Sequence, residues 1–375
     1  MDSLLPWHAA AWQEFVDQRE RLPHAMLFHG QAGTGKVGFA RYLGRSLLCQ
    51  TPAPAGFPCG QCASCAWIAA GNHPDFMLIR PAAVQLAEGS AAEEESAESA
   101  GSGQAGEARG ARDGRDAREA GDAVASEGEG ARTRRAPSKE IRIEQIRALG
   151  GALNLGSHAG GRRVAVLYPA DAMNVYTANA LLKMLEEPPP RTVFLLVTDA
   201  PDRLLPTIVS RCRRVALGTP SAETALAWLR AQGVLHPEAG LAEYGGAPFA
   251  VLRAAKAEAD TEPARAALFG VLAKPDVGAC LAAAERLAKT DAGLVVGWIQ
   301  RWMHDCLGYN LARRIRYYPS QTDTIARLAA SLDVMRCMAY SRTLVAENRV
   351  VDHPLNGRLF VENLLLGYCR AMQRG

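Results

Sequence analysis

Residues Gly30-Gln31-Ala32-Gly33-Thr34-Gly35-Lys36-Val37 carry the spacing of a phosphate-binding loop, G-x-x-x-x-G-K-[ST], complete except at its last position. In such a loop the glycines let backbone N–H groups close around phosphate oxygens. The lysine reaches the β and γ oxygens, and a Ser or Thr hydroxyl holds Mg²⁺. Val37 has no hydroxyl to offer. Gly30, Gly33, Thr34, Gly35 and Lys36 remain. The segment reads either as an anion site without turnover or as a tight turn that needs glycine, with Lys36 exposed. Weak or absent nucleotide binding is the expectation.

A second cluster points to metal. Cys59, Cys62 and Cys65 form a C-x₂-C-x₂-C knuckle, and Cys49, at the end of the helix that follows the glycine loop, supplies a fourth thiolate. Four soft ligands that converge suit tetrahedral Zn²⁺. A closed Cys₄ set leaves no open position for catalysis, so the expected ion is structural, with an iron–sulfur cluster as the alternative. His73 is close in sequence, but four thiols need no further ligand. Cys212, Cys280, Cys306, Cys337 and Cys369 are scattered and read as core or surface residues.

These residues need rigid elements to hold them. The apolar run Ala25-Met26-Leu27-Phe28-His29 reads as a buried strand entering the loop, and a helix with Phe39, Leu43, Leu47 and Leu48 on one face leaves it. Ile141, Ile143, Ile146 and Leu149 suggest a short helix. Val164–Leu167 is a second buried strand after a basic turn, Gly160-Gly161-Arg162-Arg163, and Val193–Val197 a third. Between these two strands a helix from about Thr177 to Glu187 stops at Pro188-Pro189-Pro190. Strands alternating with helices predict an α/β three-layer domain, and from about Ser221 the pattern is helical to the end. Residues 88–136 hold little but Ala, Gly, Ser, Glu, Asp and Arg, which predicts a disordered insertion. The chain has 375 residues, 48% of them hydrophobic, and a net charge of +3, too small to argue for nucleic acid alone. Met1-Asp2-Ser3-Leu4-Leu5-Pro6-Trp7 lacks the order of a signal peptide, and no apolar run approaches the roughly 18 residues of a membrane helix. A cytoplasmic protein without membrane contact is the expectation.

Further segments carry a family resemblance. Leu22-Pro23-His24-Ala25, Ala178-Asn179-Ala180-Leu181-Leu182-Lys183-Met184-Leu185-Glu186-Glu187-Pro188-Pro189 and Ser210-Arg211-Cys212 together resemble the bacterial clamp-loader AAA+ subunits, and within them the delta-prime branch of DNA polymerase III. The resemblance runs through nearly all of the chain outside 88–136, ending in Asp352-His353-Pro354-Leu355-Asn356-Gly357-Arg358-Leu359-Phe360. It implies an AAA+ P-loop domain over 1–217 with the zinc module at about 49–65, a helical lid over 218–262 and a C-terminal helical collar over 263–375. Trp298, Trp302, Leu307, Leu364, Leu365 and Leu366 would pack that collar. The implied partners are gamma/tau-type motor subunits and a delta subunit in a heteropentamer. Through that complex they include the sliding clamp and primed DNA.

The resemblance also implies what is missing. Motor subunits carry an Asp-Glu pair after the second of these strands, for Mg²⁺ and for water; here Tyr168-Pro169 stands there, and Asp171, three residues after Tyr168, reads as a loop or cap residue. Phe249 occupies the position of the arginine that senses the γ-phosphate, and Thr198 resembles a sensor at a strand end. With Val37 these are matching losses, so no intrinsic ATP hydrolysis is expected. Arg211 resembles the arginine finger inserted into an adjacent subunit's ATP site, a job suited to a permanently charged planar fork. A surface ion pair is the plainer role for it, with Arg213 and Arg214 completing a basic patch. Two other functions stay open: an active ATPase subunit using Lys36 with improvised metal ligation, and a zinc-dependent nucleic-acid-binding module. Arg162 and Arg163 are candidates for salt-dependent contacts to primer–template phosphates.

Overall fold

The computed structural model describes residues 4–89, 137–154, 161–348, 351 and 356–373. The expected insertion lies outside the described residues from 90 to 136, as do 352–355. Five strands form one parallel sheet: β1 (Ala25–His29), β2 (Phe76–Ile79), β3 (Arg163–Leu167), β4 (Thr192–Thr198) and β5 (Arg213–Ala216), in the order β2-β3-β4-β1-β5. The three central strands are the three apolar runs expected to be strands. Side chains alternate between the faces of a strand, so apolar runs without alternation mean that both faces are covered.

The two cores obey that period. Ala25 and Leu27 of β1 face a cluster with Ala165, Leu167, Phe194 and Leu196, covered by α5 (Ile143–Asn154), α6 (Val175–Glu186) and α7 (Pro206–Val209). Met26 and Phe28 face the opposite cluster with Val164, Val166, Leu195 and Val197, covered by α1 (Ala9–Asp17) and α2 (Lys36–Leu48). Edge strands β2 and β5 are short and only half-buried; β2 is the apolar run Phe76-Met77-Leu78-Ile79, not among the strands expected from sequence, whereas Arg213-Arg214-Val215-Ala216 of β5 contains no such run. Arg163 belongs to β3 rather than to a basic turn. It is buried, its guanidinium donating to Leu153 O and, at 3.0 Å, to Pro190 O. Strand alternation turns this first side chain inward, where it meets one carbonyl in the last turn of α5 and one in the turn before β4.

The knuckle runs into α3 (Ala63–Ala69), with Cys62 at its N-cap and Cys65 in its first turn, and after β2 residues 82–89 form α4. Glu88, placed in the insertion by composition, is therefore helical. Beyond β5 all described elements are helices. Helices α8 (Ala222–Ala231), α9 (Pro237–Glu243) and α10 (Pro248–Lys256) share a small core of Ala225, Leu229, Leu241 and Val251. A larger core is built from α11 (Glu258–Ala273), α12 (Val277–Leu287), α13 (Ala292–Ala312), α14 (Thr322–Ala329), α15 (Val334–Glu347) and α16 (Gly357–Met372). Trp298, Trp302, Leu364 and Leu365 are buried in it, and Leu307 and Leu366 pack against it. Helix α11 runs across the 262/263 boundary drawn from sequence, placing Ala264 and Leu268 in this larger core. Cys212, Cys280, Cys306, Cys337 and Cys369 are all buried.

Candidate functional site: a closed phosphate loop and an outward arginine

The glycine loop joins the C-terminal end of β1 to the first turn of α2. Gly33 and Gly35 have φ of +76° and +87°, the left-handed region that favours glycine, which gives the loop its tight return. Its lysine is turned inward. Lys36 is 3% exposed, its Nζ 2.6 Å from Asp199 Oδ1 and donating to Gln31 O at 2.5 Å. A lysine held in this way has its charge met by its own chain. This corrects the expectation of an exposed Lys36: a strand-to-helix turn curls its first helical side chain back over the loop, where Asp199 follows β4 and meets it.

Gly35 is crowded from one side. A Cβ on Gly35 would collide with Leu5 Cδ1 and come within 2.9 Å of Phe249 Cε2. Phe249 N donates to Gly33 O at 3.0 Å, and its ring lies 4.8 Å from that of Trp228. Trp7 Nε1 donates to Thr34 O at 2.8 Å, Thr34 Oγ1 to Gln31 O at 3.0 Å, and Gln31 Nε2 to Gly245 O at 3.0 Å. Val37 packs on the α1/α2 core. The loop itself opens onto a cavity of about 630 Å³, lined by Gly33, Gly35, Lys36, Asp199, Phe249 and Arg253 among others. Arg253, one helical turn after Phe249, therefore faces the same space, a position sequence comparison with the motor pattern does not reveal.

At the tip of β3, where a metal carboxylate and a base would stand, Tyr168 is 2% exposed. Its hydroxyl donates to Glu88 at 3.0 Å and accepts from Arg80 Nη1 at 3.3 Å, while Arg80 Nε lies 3.2 Å from Glu88. Burial, and then the Glu88 charge, push the phenol up to about 12, so it holds its proton at neutral pH. Thr198 donates to Asp171 Oδ1 at 2.5 Å and accepts from Ala200 N at 3.0 Å, and is thereby tied within its own loop. Beneath the loop, His8 is 1% exposed, and burial, with Lys36 as a second cause, lowers it to about 4.

The four cysteines converge. Their sulfurs lie within 4.8 Å of one another, Cys49 to Cys62 at 3.9 Å and Cys59 to Cys65 at 4.0 Å. Those spacings match the edge of about 3.8 Å that a tetrahedron with Zn–S of about 2.3 Å requires. Backbone N–H groups already point at the sulfurs: Cys59 N to Cys49 Sγ and Cys62 N to Cys59 Sγ, both 3.3 Å. The Thr51 hydroxyl, the Gln61 N–H and the Cys62 N–H draw the Cys59 thiol down to about 5. The set thus fits a thiolate-bound zinc. His73 is engaged elsewhere: Nδ1 accepts from Asp75 N at 3.1 Å and Nε2 meets Ser64 Oγ at 2.9 Å.

Arg211 sits just before β5. In the parallel pairing Met26 lies opposite Arg213 and His29 opposite Ala216, so Arg211 falls at the start of β1 while the glycine loop leaves its other end. At about 3.3 Å per residue the two are roughly 20 Å apart along the strand, further than one arginine side chain reaches. Arg211 is exposed, with Nη2 2.6 Å from Glu186 Oε1 and Nη1 donating to Thr207 O at 3.0 Å. Arg213 is paired with Glu14 and donates to Gln18 Oε1 at 2.6 Å, which removes it from any free basic patch. Arg162 is half-buried and donates to Arg19 O at 2.9 Å, so of the two candidate phosphate contacts Arg163 is enclosed and Arg162 partly used. Among the described residues no helix is long and apolar enough to cross a membrane.

A family model described as DNA polymerase III, delta subunit, matches residues 8–221. A DNA polymerase III subunit delta' of Pseudomonas aeruginosa is 35% identical over 257 residues, 68% of this chain and 62% of that protein. The subunit delta' of Escherichia coli is 29% identical over 273 residues, 72% of this chain and 65% of that protein. A DNA polymerase III subunit tau of Bacillus subtilis is 25% identical over 196 residues, 52% of this chain and 25% of that protein. The chain spans less than two thirds of the length of each of these relatives. With the family model covering more than half of it, the chain belongs to the delta-prime family of DNA polymerase III clamp-loader subunits.

Proposed function

We propose that this chain is a non-hydrolysing subunit of a DNA polymerase III clamp loader, which offers Arg211 to the ATP of an adjacent motor subunit. Its partners would be gamma/tau-type motor subunits and a delta-type subunit, with the sliding clamp and primed DNA as the objects of the assembly. The observation that carries this is the position of Arg211, at the opposite end of the strands from its own glycine loop. An arginine so placed serves no phosphate in its own chain, but a fork of guanidinium N–H groups on an outer edge suits charge building on a neighbour's transferred phosphoryl group.

The closed loop supports the same division of labour. Lys36 is neutralised by Asp199, Val37 brings no magnesium ligand, Tyr168 keeps its proton, and Leu5 and Phe249 cover Gly35. Each missing group is worth orders of magnitude in rate, so their joint loss argues against turnover in this chain. A zinc ion held by Cys49, Cys59, Cys62 and Cys65 would supply a cross-link between the end of α2 and the start of α3, and no catalytic chemistry.

The experiment is a loader reconstituted with Arg211→Ala. Turnover at the one adjacent site is expected to fall by about 10³-fold or more, and DNA- and clamp-stimulated ATPase to drop by that site's share. Unchanged turnover overturns the assignment.

A further inference from the structure

Both tips of the Arg211 fork are taken by its own chain. Nη2 lies 2.6 Å from Glu186 Oε1, and Nη1 donates to Thr207 O at 3.0 Å. These are the two nitrogens with which an arginine grips a phosphate bidentately. We infer that Glu186 is a positioning residue that clasps Arg211 and competes with the neighbouring subunit's phosphates for it, an inference that rests on the trans-acting role proposed above.

The place of Glu186 in the fold argues for this use. It is the last residue of α6, where the helix dipole presents its negative end and disfavours a carboxylate. Helix stability therefore gives no reason for an acid here; Lys183, one turn earlier, is the residue type that suits this end. The partner of Glu186 is instead Arg211, delivered from the short turn after α7 to the same end of the sheet. The pair is also weak enough to open. The side chains are 37% and 49% exposed, so water screens them and a phosphate with more charge can win the guanidinium. Clasped fingers are unavailable fingers, and the apparent affinity of the site that needs the arginine falls by the fraction left free.

Glu186→Gln keeps the shape and removes the charge. In a loader reconstituted with this variant, the apparent KM for ATP in DNA- and clamp-stimulated turnover is expected to fall by about 1.4- to 5-fold, the fold-change equivalent of an exposed pair's about 0.2–1 kcal/mol, with kcat held. Glu186→Gln combined with Arg211→Ala should match Arg211→Ala alone, because the clasp acts only through the arginine. A merely structural carboxylate would move neither KM nor the cycle. If Arg211→Ala lowers turnover but Glu186→Gln leaves KM unchanged, raises it, or lowers kcat as Arg211→Ala does, the clasp is overturned and the finger stands. A double variant that differs from Arg211→Ala overturns it too. If Arg211→Ala itself leaves turnover unchanged, the finger fails and takes the clasp with it.

Discussion

Lys36→Ala separates a closed loop from a working one. In a P-loop enzyme this substitution removes the group that binds phosphate; here it removes a structural cation. Lys36 is 3% exposed and makes a 2.6 Å ion pair to Asp199 and a 2.5 Å hydrogen bond to Gln31 O. Hydrogen bonds from a charged group are worth about 1.5–3 kcal/mol net, and three buried methylenes of the stem up to about 2 kcal/mol more. Asp199 is 53% exposed and returns to water, so no orphaned buried charge adds to the cost. The expected loss is about 1.5–5 kcal/mol, read from urea unfolding of the isolated chain. Magnesium and ATP added to the wild type should leave its unfolding curve where it is. A functional site with ATP at a hundredfold excess over Kd would instead add about 2.7 kcal/mol. A gain of that size in the wild type, absent in Lys36→Ala, refutes the closed loop. Magnesium-dependent turnover by the isolated chain that Lys36→Ala abolishes would do the same and favour an active ATPase.

Two further outcomes follow from buried groups. His8 sits at about 4 in the folded chain against 6.5 when unfolded, so between those values the unfolded chain binds more protons. Its contribution is intact above pH 6.5 and lost as the pH falls towards 4, on the order of 3 kcal/mol at the acid end. His8→Leu should flatten the stability–pH curve over that window, and identical slopes for the two proteins would count against the burial argument. Cys62→Ser removes one of four converging thiolates and should reduce zinc from about one ion per chain to well below it, measured by elemental analysis. Amide exchange across 49–69 should quicken with it, whereas full zinc retention would sink the Cys₄ assignment.

Much of the fold was readable because its signals are local. Three buried parallel strands are unbroken apolar runs, the glycine loop is one short motif, and three of the four thiolates stand within one knuckle. Of the edge strands, β5 has no apolar run to show, while β2 is a run of only four apolar residues, too short for periodicity to tell a strand from a piece of buried helix. Arg163 looked like part of a turn because a basic residue beside two glycines usually is one; its burial depends on Leu153 and Pro190 carbonyls brought from elsewhere. Glu88 looked like the start of a polar insertion, yet Tyr168 and Arg80 hold it.

The sequence by itself determined the residue types: a P-loop without its hydroxyl, a strand tip without its carboxylates, four thiols at ligand spacing, and an arginine in a Ser-Arg-Cys segment. Only the tertiary structure decided what each does with its charge. It brought Asp199 to Lys36, Phe249 and Leu5 over Gly35, Glu88 to Tyr168, and Glu186 to Arg211. The physical reason is range. A motif specifies which groups are present, but the energy of an ionised or hydrogen-bonding group depends on whatever lies within a few ångströms of it. For Lys36, Tyr168 and Arg211, the partners that matter come from other elements of the fold.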